Sequence, residues 1–372
     1  MNTQYSGNPV AAPPSQPIAF KGRGTGWRMA HRFNSTERDW VDDGWGDAAD
    51  PAGAETLPPR TEVREECVRS LLSPNDSPDI PFEWSINPYR GCEHGCIYCY
   101  ARPTHSYLNL SPGLDFETKL VAKVNAAEVL VRELARPGHR VSPINIGSAT
   151  DAYQPIERRL GLTRSVLEVL HRCRHPYTIV TKSSGVERDL DLIAADAAER
   201  RAMVFVSVTT MDAALSRRLE PRAAAPHRRL QTVRTLAEAG VPVGVNVAPI
   251  IPFLNEPEIE RLIEAAAEAG ATSIHYTVLR LPWEVNPLFQ QWLEQHVPER
   301  ARRIMARVRD LRGGADYRSA FGQRMKGEGL WAELIAQRVD KACARAGVSR
   351  RAPPLDAAAF RPPGDERQAE LF

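Results

Sequence analysis

From residue 117 onward the apolar positions of the chain switch repeatedly between two spacings. Short apolar, β-rich runs occur at Pro143-Ile144-Asn145-Ile146, Tyr177-Thr178-Ile179-Val180, Val204-Phe205-Val206-Ser207-Val208, Val243-Gly244-Val245-Asn246-Val247 and Ser273-Ile274-His275-Tyr276-Thr277-Val278. Between them, at about 117–135, 162–173, 187–199, 225–239 and 256–269, apolar residues recur three and four apart, as on one face of a helix. Strands alternating with helices predict βαβ units on a parallel sheet, and the segment before Cys92 brings the count to about six units. The pattern alone leaves a partial barrel and a doubly wound sheet equally open. Both place their active site at the carboxyl ends of the strands. Stretches 287–312 and 326–346 read as helices that follow the sheet.

The flanks are written differently. Residues 1 to about 20 are Pro, Ala, Ser and Gln, which predicts a disordered arm. Residues 21–80 are polar and irregular yet carry Trp27, Trp40 and Trp45, which favours a segment draped over a core above a binding arm. The expected organisation is an N-terminal extension over 1–80, an α/β core over 81–285, a helical extension over 286–347 and a disordered tail over 348–372.

Composition narrows the classes. The net charge of +2 advertises neither a nucleic-acid nor a membrane partner. No apolar run approaches the ~20 residues of a membrane span, and the first residues lack a signal-peptide pattern. Six cysteines without framework spacing point to a reducing compartment, so the expectation is a cytoplasmic protein with no membrane partner.

The candidate chemistry lies in Asn87-Pro88-Tyr89-Arg90-Gly91-Cys92-Glu93-His94-Gly95-Cys96-Ile97-Tyr98-Cys99-Tyr100. Cys92, Cys96 and Cys99 are spaced Cys-x3-Cys-x2-Cys. Three thiolates on one tight loop suit three irons of a [4Fe–4S] cluster and leave the fourth iron open, as a catalytic metal site requires. A structural zinc site would need a fourth ligand such as His94 or His105, neither at zinc-finger spacing. A ferredoxin-type cluster would need a fourth cysteine in register, but Cys67, Cys173 and Cys343 are isolated. A zinc-stabilised nucleic-acid-binding module is the alternative from another class.

This spacing, with the aromatic Tyr98 directly before the last cysteine, resembles the radical S-adenosylmethionine (SAM) enzymes. The longer string from Ser85-Ile86-Asn87-Pro88 through Tyr100-Ala101-Arg102-Pro103 resembles the branch related to spore photoproduct lyase, a DNA-repair enzyme, and within it bacterial proteins of unassigned substrate. The likeness covers roughly residues 60 to 347. It implies a partial (β/α)6 TIM-like barrel with an N-terminal extension and C-terminal helices. It also implies a [4Fe–4S] cluster on Cys92, Cys96 and Cys99, SAM cleaved reductively to a 5′-deoxyadenosyl radical, and an electron donor of flavodoxin or ferredoxin type.

The same likeness suggests where SAM is held. In Gly147-Ser148-Ala149-Thr150-Asp151 through Pro155, Thr150 and Asp151 can accept hydrogen bonds from the SAM ammonium; a plain strand-to-helix turn with caps is the bland account. Lys182, in Thr181-Lys182-Ser183-Ser184, suits the SAM carboxylate, or else is a solvated loop lysine. Ser207 falls where the family has a ribose or carboxylate contact, or is a small barrel residue. Tyr98 falls where a side chain lies against adenine, and the loop Asn246 to Glu256 resembles the adenine-side loop. Tyr100 reads as packing, or as a radical relay. In the lyase a hydrogen-donating cysteine directly precedes the Ser/Thr-Asp pair; here Ala149 stands there, so the lyase reaction itself does not transfer and no catalytic residue is assigned.

Two basic stretches, Arg300 to Arg312 and Arg217 to Arg229, could track phosphates, although a solvated face alternating with Glu299 and Asp310 explains the first more simply. Gln368-Ala369-Glu370-Leu371-Phe372 resembles the peptide by which bacterial repair proteins dock on the DNA sliding clamp, with Ala369 departing from the usual leucine. The expected substrate is damaged DNA or another nucleic acid, with a small molecule or peptide as the alternative.

Overall fold

The computed structural model describes residues 19–33 and 59–364. Its strands are β1 Glu62–Glu66, β2 Ser73–Pro74, β3 Trp84–Ile86, β4 Tyr89–Arg90, β5 Lys119–Lys123, β6 Ile144–Ile146, β7 Tyr177–Thr181, β8 Ala202–Ser207, β9 Val243–Ile250 and β10 Ser273–Val278. Seven of them form one sheet in the order β10-β9-β8-β7-β6-β3-β2. Six run parallel, with β2 antiparallel at the edge. β10 and β2 end the order without pairing to each other, so the sheet curls into an open, partial (β/α)6 barrel.

The apolar runs become these strands because both faces are covered. Ile86, Ile144, Ile146, Ile179, Val204, Val206, Val243, Val245 and Ile274 have no accessible surface, as expected of a parallel sheet under a helical layer. Helix Ile259–Glu268 buries Ile259, Leu262, Ile263 and Ala266, the three-and-four spacing that marked it in the sequence. Helices Leu162–Arg172 and Pro226–Glu238 fall within two residues of their expected bounds.

Elsewhere the structure corrects the pattern. The expected helix over 117–135 splits: Lys119–Lys123 is a strand and only Ala126–Leu134 is a regular helix beyond it. β5 lies between β1, parallel, and β4, antiparallel, in a separate three-stranded sheet. A run as short as Leu120-Val121-Ala122 fits either period, and burial between two strands decided the outcome. Residues 62–74, expected in the extension, thus supply strands to both sheets. The stretch 287–312 is two helices, Val285–His296 and Pro298–Asp310, because Pro298 starts the second at its first turn.

The expected disordered tail is ordered through residue 364 wherever it meets the barrel. Ser349 bridges Ser273, the Asp356 N–H donates to Arg200 O at 2.8 Å, and the Arg361 N–H donates to Cys173 O at 2.8 Å. Phe360 packs 5.1 Å from the His175 ring and 5.5 Å from the His139 ring.

Trp27 and Met29 are buried in a second core with Ile97, Tyr98, Leu288, Phe289, Trp292 and Ile304. Residues 19–33 are therefore draped over the cysteine loop and the C-terminal helices, as the tryptophan content suggested. Trp40, Trp45 and Gln368 to Phe372 lie outside the described residues. Among the described residues no helix is long and apolar enough to cross a membrane.

The basic stretches are largely engaged internally. Arg312 is buried and donates to the carbonyls of Leu279, Gln323 and Arg324. Arg222, Arg228 and Arg229 pair with Glu93, Glu187 and Glu220. Arg300 and Arg307 pair with Glu299 and Asp310, the alternating face read from the sequence.

Candidate active site at the cysteine loop

β4 leads directly into the loop that carries the three cysteines. Gly91 has φ of 78°, and a Cβ there would meet His105 and Leu120 at 2.8 Å and the Phe116 carbonyl at 2.9 Å, so only glycine fits. The loop is then tied down atom by atom. The Cys92 N–H donates to Phe116 O at 2.9 Å and the Cys99 N–H to Cys96 O at 3.2 Å. Gln154 accepts from the Glu93 N–H at 2.9 Å and donates to Gly91 O at 3.1 Å. Arg102, fully buried and paired with Glu117, donates to Cys96 O at 2.9 Å and Gly95 O at 3.2 Å.

Cys92 and Cys96 are buried and Cys99 half-buried, and all three are free thiols. Burial pushes Cys92 well up and Cys96 up to about 12, each raised further by the neighbouring cysteines. They are therefore close enough to act on one another, and a metal centre would reverse that shift by holding them as thiolates. Yet among the described residues no three His, Cys, Asp or Glu side chains converge on a point where a single ion could sit. Three soft donors on one loop suit a cluster in which each thiolate takes its own iron.

The turn after β6 lies beside the loop. Gly147 has φ of 91°, and a Cβ would meet Val180 O at 2.6 Å. Asn87 braces the turn, accepting from the N–H groups of Ala149 and Thr150 at 2.8 and 3.2 Å and donating to Ser148 Oγ at 3.1 Å. The Thr150 hydroxyl, buried, donates to Tyr89 O at 3.4 Å. Asp151 accepts from Thr181 Oγ1 at 2.7 Å, the Tyr153 N–H at 2.9 Å and the Lys182 N–H at 2.7 Å, and faces His94 Nδ1 at 3.2 Å. Burial alone would raise its pKa; His94 and the donors outweigh that and hold it at about 2. Asp151 thus ties β6 and β7 to the cysteine loop, with both oxygens engaged inside the chain.

Lys182 follows β7 and holds its ammonium 5.9 Å over the Tyr98 ring. Burial lowers its pKa, but the charges of Cys96 and Glu220 raise it more. Its ammonium has no hydrogen-bond or ion-pair partner among the described residues. The Tyr98 hydroxyl donates to Glu220 and lies 3.0 Å from Thr209 Oγ1. Glu220 also accepts from Thr209 at 2.6 Å and pairs with Arg229, whose Nη1 donates to the carbonyl of buried Ser207 at 3.0 Å. Burial pushes Glu220 up, while Arg229 and Lys182 pull it down to about 2.

Cys92, Cys96, Cys99, Tyr98, Thr150, Asp151, Lys182 and Ser207 therefore gather at the carboxyl end of the barrel. Sequence reasoning missed Glu220, Gln154 and Asn87 as supports, and placed Arg229 on a surface patch although it is buried. Asn87 and Arg102 lay inside the motif string, so their positions were visible and their roles were not. Tyr100 does not pack away: it is 48% exposed, with its hydroxyl on Ser148 O and its ring 5.0 Å from the Arg280 guanidinium.

Comparison with known proteins agrees with this geometry. Residues 86–266 match the radical SAM superfamily. An uncharacterized protein of Mycobacterium tuberculosis is 35% identical over 311 residues, 82% of this chain and 86% of that one. An uncharacterized protein of Methanocaldococcus jannaschii is 29% identical over 240 residues, 64% and 85% of the two chains. Among solved structures, spore photoproduct lyase complexed with dinucleoside spore photoproduct superposes with a TM-score of 0.53 at 18% identity, covering 76% of this chain and 79% of that one, a likeness of fold. The chain belongs to the radical SAM superfamily and is an enzyme that uses a [4Fe–4S] cluster and S-adenosylmethionine.

Proposed function

We propose that this enzyme draws a hydrogen atom from a nucleic-acid substrate admitted at the barrel mouth. The supporting observation is a cluster of exposed rings. Phe33, Tyr107 and Trp283 are 49%, 70% and 60% exposed and surround Arg32, whose guanidinium lies 4.6, 5.7 and 4.4 Å from their centroids. Glu284 pins Arg32 at 2.8 and 3.0 Å. Tyr107 lies on the segment that follows the cysteine loop and Trp283 on the one that follows β10, the segments we assign to the mouth. Large aromatic faces beside an arginine are what unstacked bases use. The fold likeness to spore photoproduct lyase, solved in complex with dinucleoside spore photoproduct, is in keeping with this reading.

In this reading Cys92, Cys96 and Cys99 hold the cluster, Lys182 meets the SAM carboxylate, and Tyr98 lies against adenine. Thr150, Asp151 and Ser207 shape the pocket for the amino acid and ribose. When bound, the cluster and SAM supply one-electron cleavage to a 5′-deoxyadenosyl radical; the chain supplies position and exclusion of water. The electron comes from outside the chain, and we assign it to a flavodoxin or ferredoxin type of protein. Six cysteines without framework spacing support a reducing, cytoplasmic setting. With Ala149 at the position of the lyase cysteine, the proposal stops short of the lyase reaction.

The test is 5′-deoxyadenosine formation by reduced, reconstituted protein with and without damaged DNA or RNA. Nucleic acid should accelerate it. If every nucleic acid leaves the rate unchanged while a peptide or metabolite raises it, the reading fails. The tail offers an independent check. If Gln368 to Phe372 docks on a sliding clamp, binding should be micromolar, roughly 8 kcal/mol. It should vanish in Leu371→Ala with Phe372→Ala and tighten in Ala369→Leu. No binding by the intact protein would remove that support.

A further inference from the structure

We propose that Arg280 is a recognition site for an oxyanion of the substrate. Its phosphodiester form rests on the nucleic-acid reading above; the oxyanion site does not.

Arg280 leaves the carboxyl end of β10, where the backbone is fixed on both sides. The Leu279 N–H donates to Ile250 O at 3.0 Å and the Val278 N–H to Met325 O at 2.9 Å. The guanidinium lies 5.0 Å from the centroid of the Tyr100 ring, one residue beyond Cys99. It is half-buried at the mouth, on the side facing the cysteine loop.

Its partners are unlike those of the other arginines around the site. Arg102, Arg229, Arg32 and Arg324 each pair with a carboxylate, from Glu117, Glu220, Glu284 and Asp79. Arg280 has no carboxylate within ion-pair distance among the described residues; it acts on Asp79 only at longer range, and Asp79 is paired with Arg324. Nη1 donates to Met325 Sδ at 3.3 Å, a weak acceptor. Nε is buried with no partner. A guanidinium carries five donors in a planar fork, and leaving them unmet in a half-buried place is costly.

The surroundings add positive potential. The Arg280 guanidinium stands over the Tyr100 ring and the Lys182 ammonium over the Tyr98 ring, on either side of Cys99 in sequence. Behind Arg280, Arg312 is pushed down to about 10, by burial first and by Arg280 next. Of these cations Arg324 and Arg312 are satisfied within the chain, and Lys182 is the natural partner of the SAM carboxylate. Arg280 remains, preformed and open, with the geometry that grips a phosphate or carboxylate by two parallel hydrogen bonds.

The test uses the cluster-loaded, SAM-bound protein and three probes: thymidylyl-thymidine, its uncharged methylphosphonate twin, and inorganic phosphate. The wild type should bind the charged dinucleotide about tenfold tighter than the neutral one. Arg280→Gln should bring the two within about twofold, and Arg280→Lys should restore part of the difference, since a point charge lacks the fork. A charge preference that survives in Arg280→Gln overturns the proposal. So does a loss of SAM affinity of about tenfold in that variant, which would give the guanidinium to the SAM carboxylate. If the wild type binds neither dinucleotide, the nucleic-acid reading fails by itself, and equilibrium dialysis of labelled phosphate decides the oxyanion site. Phosphate bound by the wild type and released in Arg280→Gln upholds it; phosphate unbound, or bound equally by both, overturns it.

Discussion

On one side of the barrel mouth, Tyr98, Thr209, Glu220 and Arg229 close a buried circuit of hydrogen bonds in which every charge has its opposite. Beyond β10, Arg280 stands with no carboxylate within ion-pair distance among the described residues, its guanidinium on a thioether and an aromatic ring. The first wall is complete before any ligand arrives and can hold a cofactor in one geometry. The second is left unsatisfied and can gain from whatever enters. Preorganisation and receptivity are thus segregated within one sheet, beyond β8 and beyond the end strand β10, and the cysteine loop meets the first through Tyr98 and the second through Tyr100.

The strongest challenge to this contrast removes what both walls serve. Changing Cys92, Cys96 or Cys99 to Ala should abolish the cluster and 5′-deoxyadenosine formation, while Cys67→Ala, Cys173→Ala and Cys343→Ala keep both; iron and sulfide analysis decides. Full iron in Cys96→Ala would end the assignment.

Next in size, Arg229→Met strands Glu220 as an unpaired buried charge and should cost about 3–5 kcal/mol in denaturant unfolding. Replacing both partners with apolar residues should recover much of it. A wild-type midpoint for Arg229→Met would show that the circuit contributes nothing to stability.

Acid titration sharpens the same point. Glu220 is held at about 2 against an ordinary 4.5. The stability it confers is therefore full above the ordinary value and is lost as pH falls from there through about 2. The shift corresponds to ~3 kcal/mol. Unfolding of Glu220→Gln should depend less steeply on pH across that window; an identical acid profile would contradict the pairing.

The smallest effect lies between the walls. Lys182→Ala should weaken SAM binding by about 1.5–3 kcal/mol, the worth of a charged hydrogen bond, with the cluster intact. Unchanged affinity would move the carboxylate elsewhere.

The parallel strands were legible in the sequence because burial on both faces leaves them continuously apolar, as in Val204 to Val208. The cysteines were legible because ligand spacing on one loop is a local property. The short sheet of β1, β5 and β4 was not: its strands pair across more than thirty residues, and Lys119–Lys123 carries no period of its own. Nor was the Glu220–Arg229 pair, since two charges nine residues apart look the same whether they face water or each other. Arg280 carried no signal either. Its meaning comes from a partner it lacks, which no local pattern records.

The ordered tail has a mechanical consequence. It touches Ser273 at the start of β10, Arg200 before β8, Cys173 and His175 before β7, and His139 before β6, so it crosses the amino-terminal ends of strands along most of the open sheet. An open sheet curled this way is an arch, and the tail is the tie-rod across its springing points. A tied arch cannot spread at its base, so any change in span is taken up at the opposite rim. That rim is the mouth, which carries the cysteine loop.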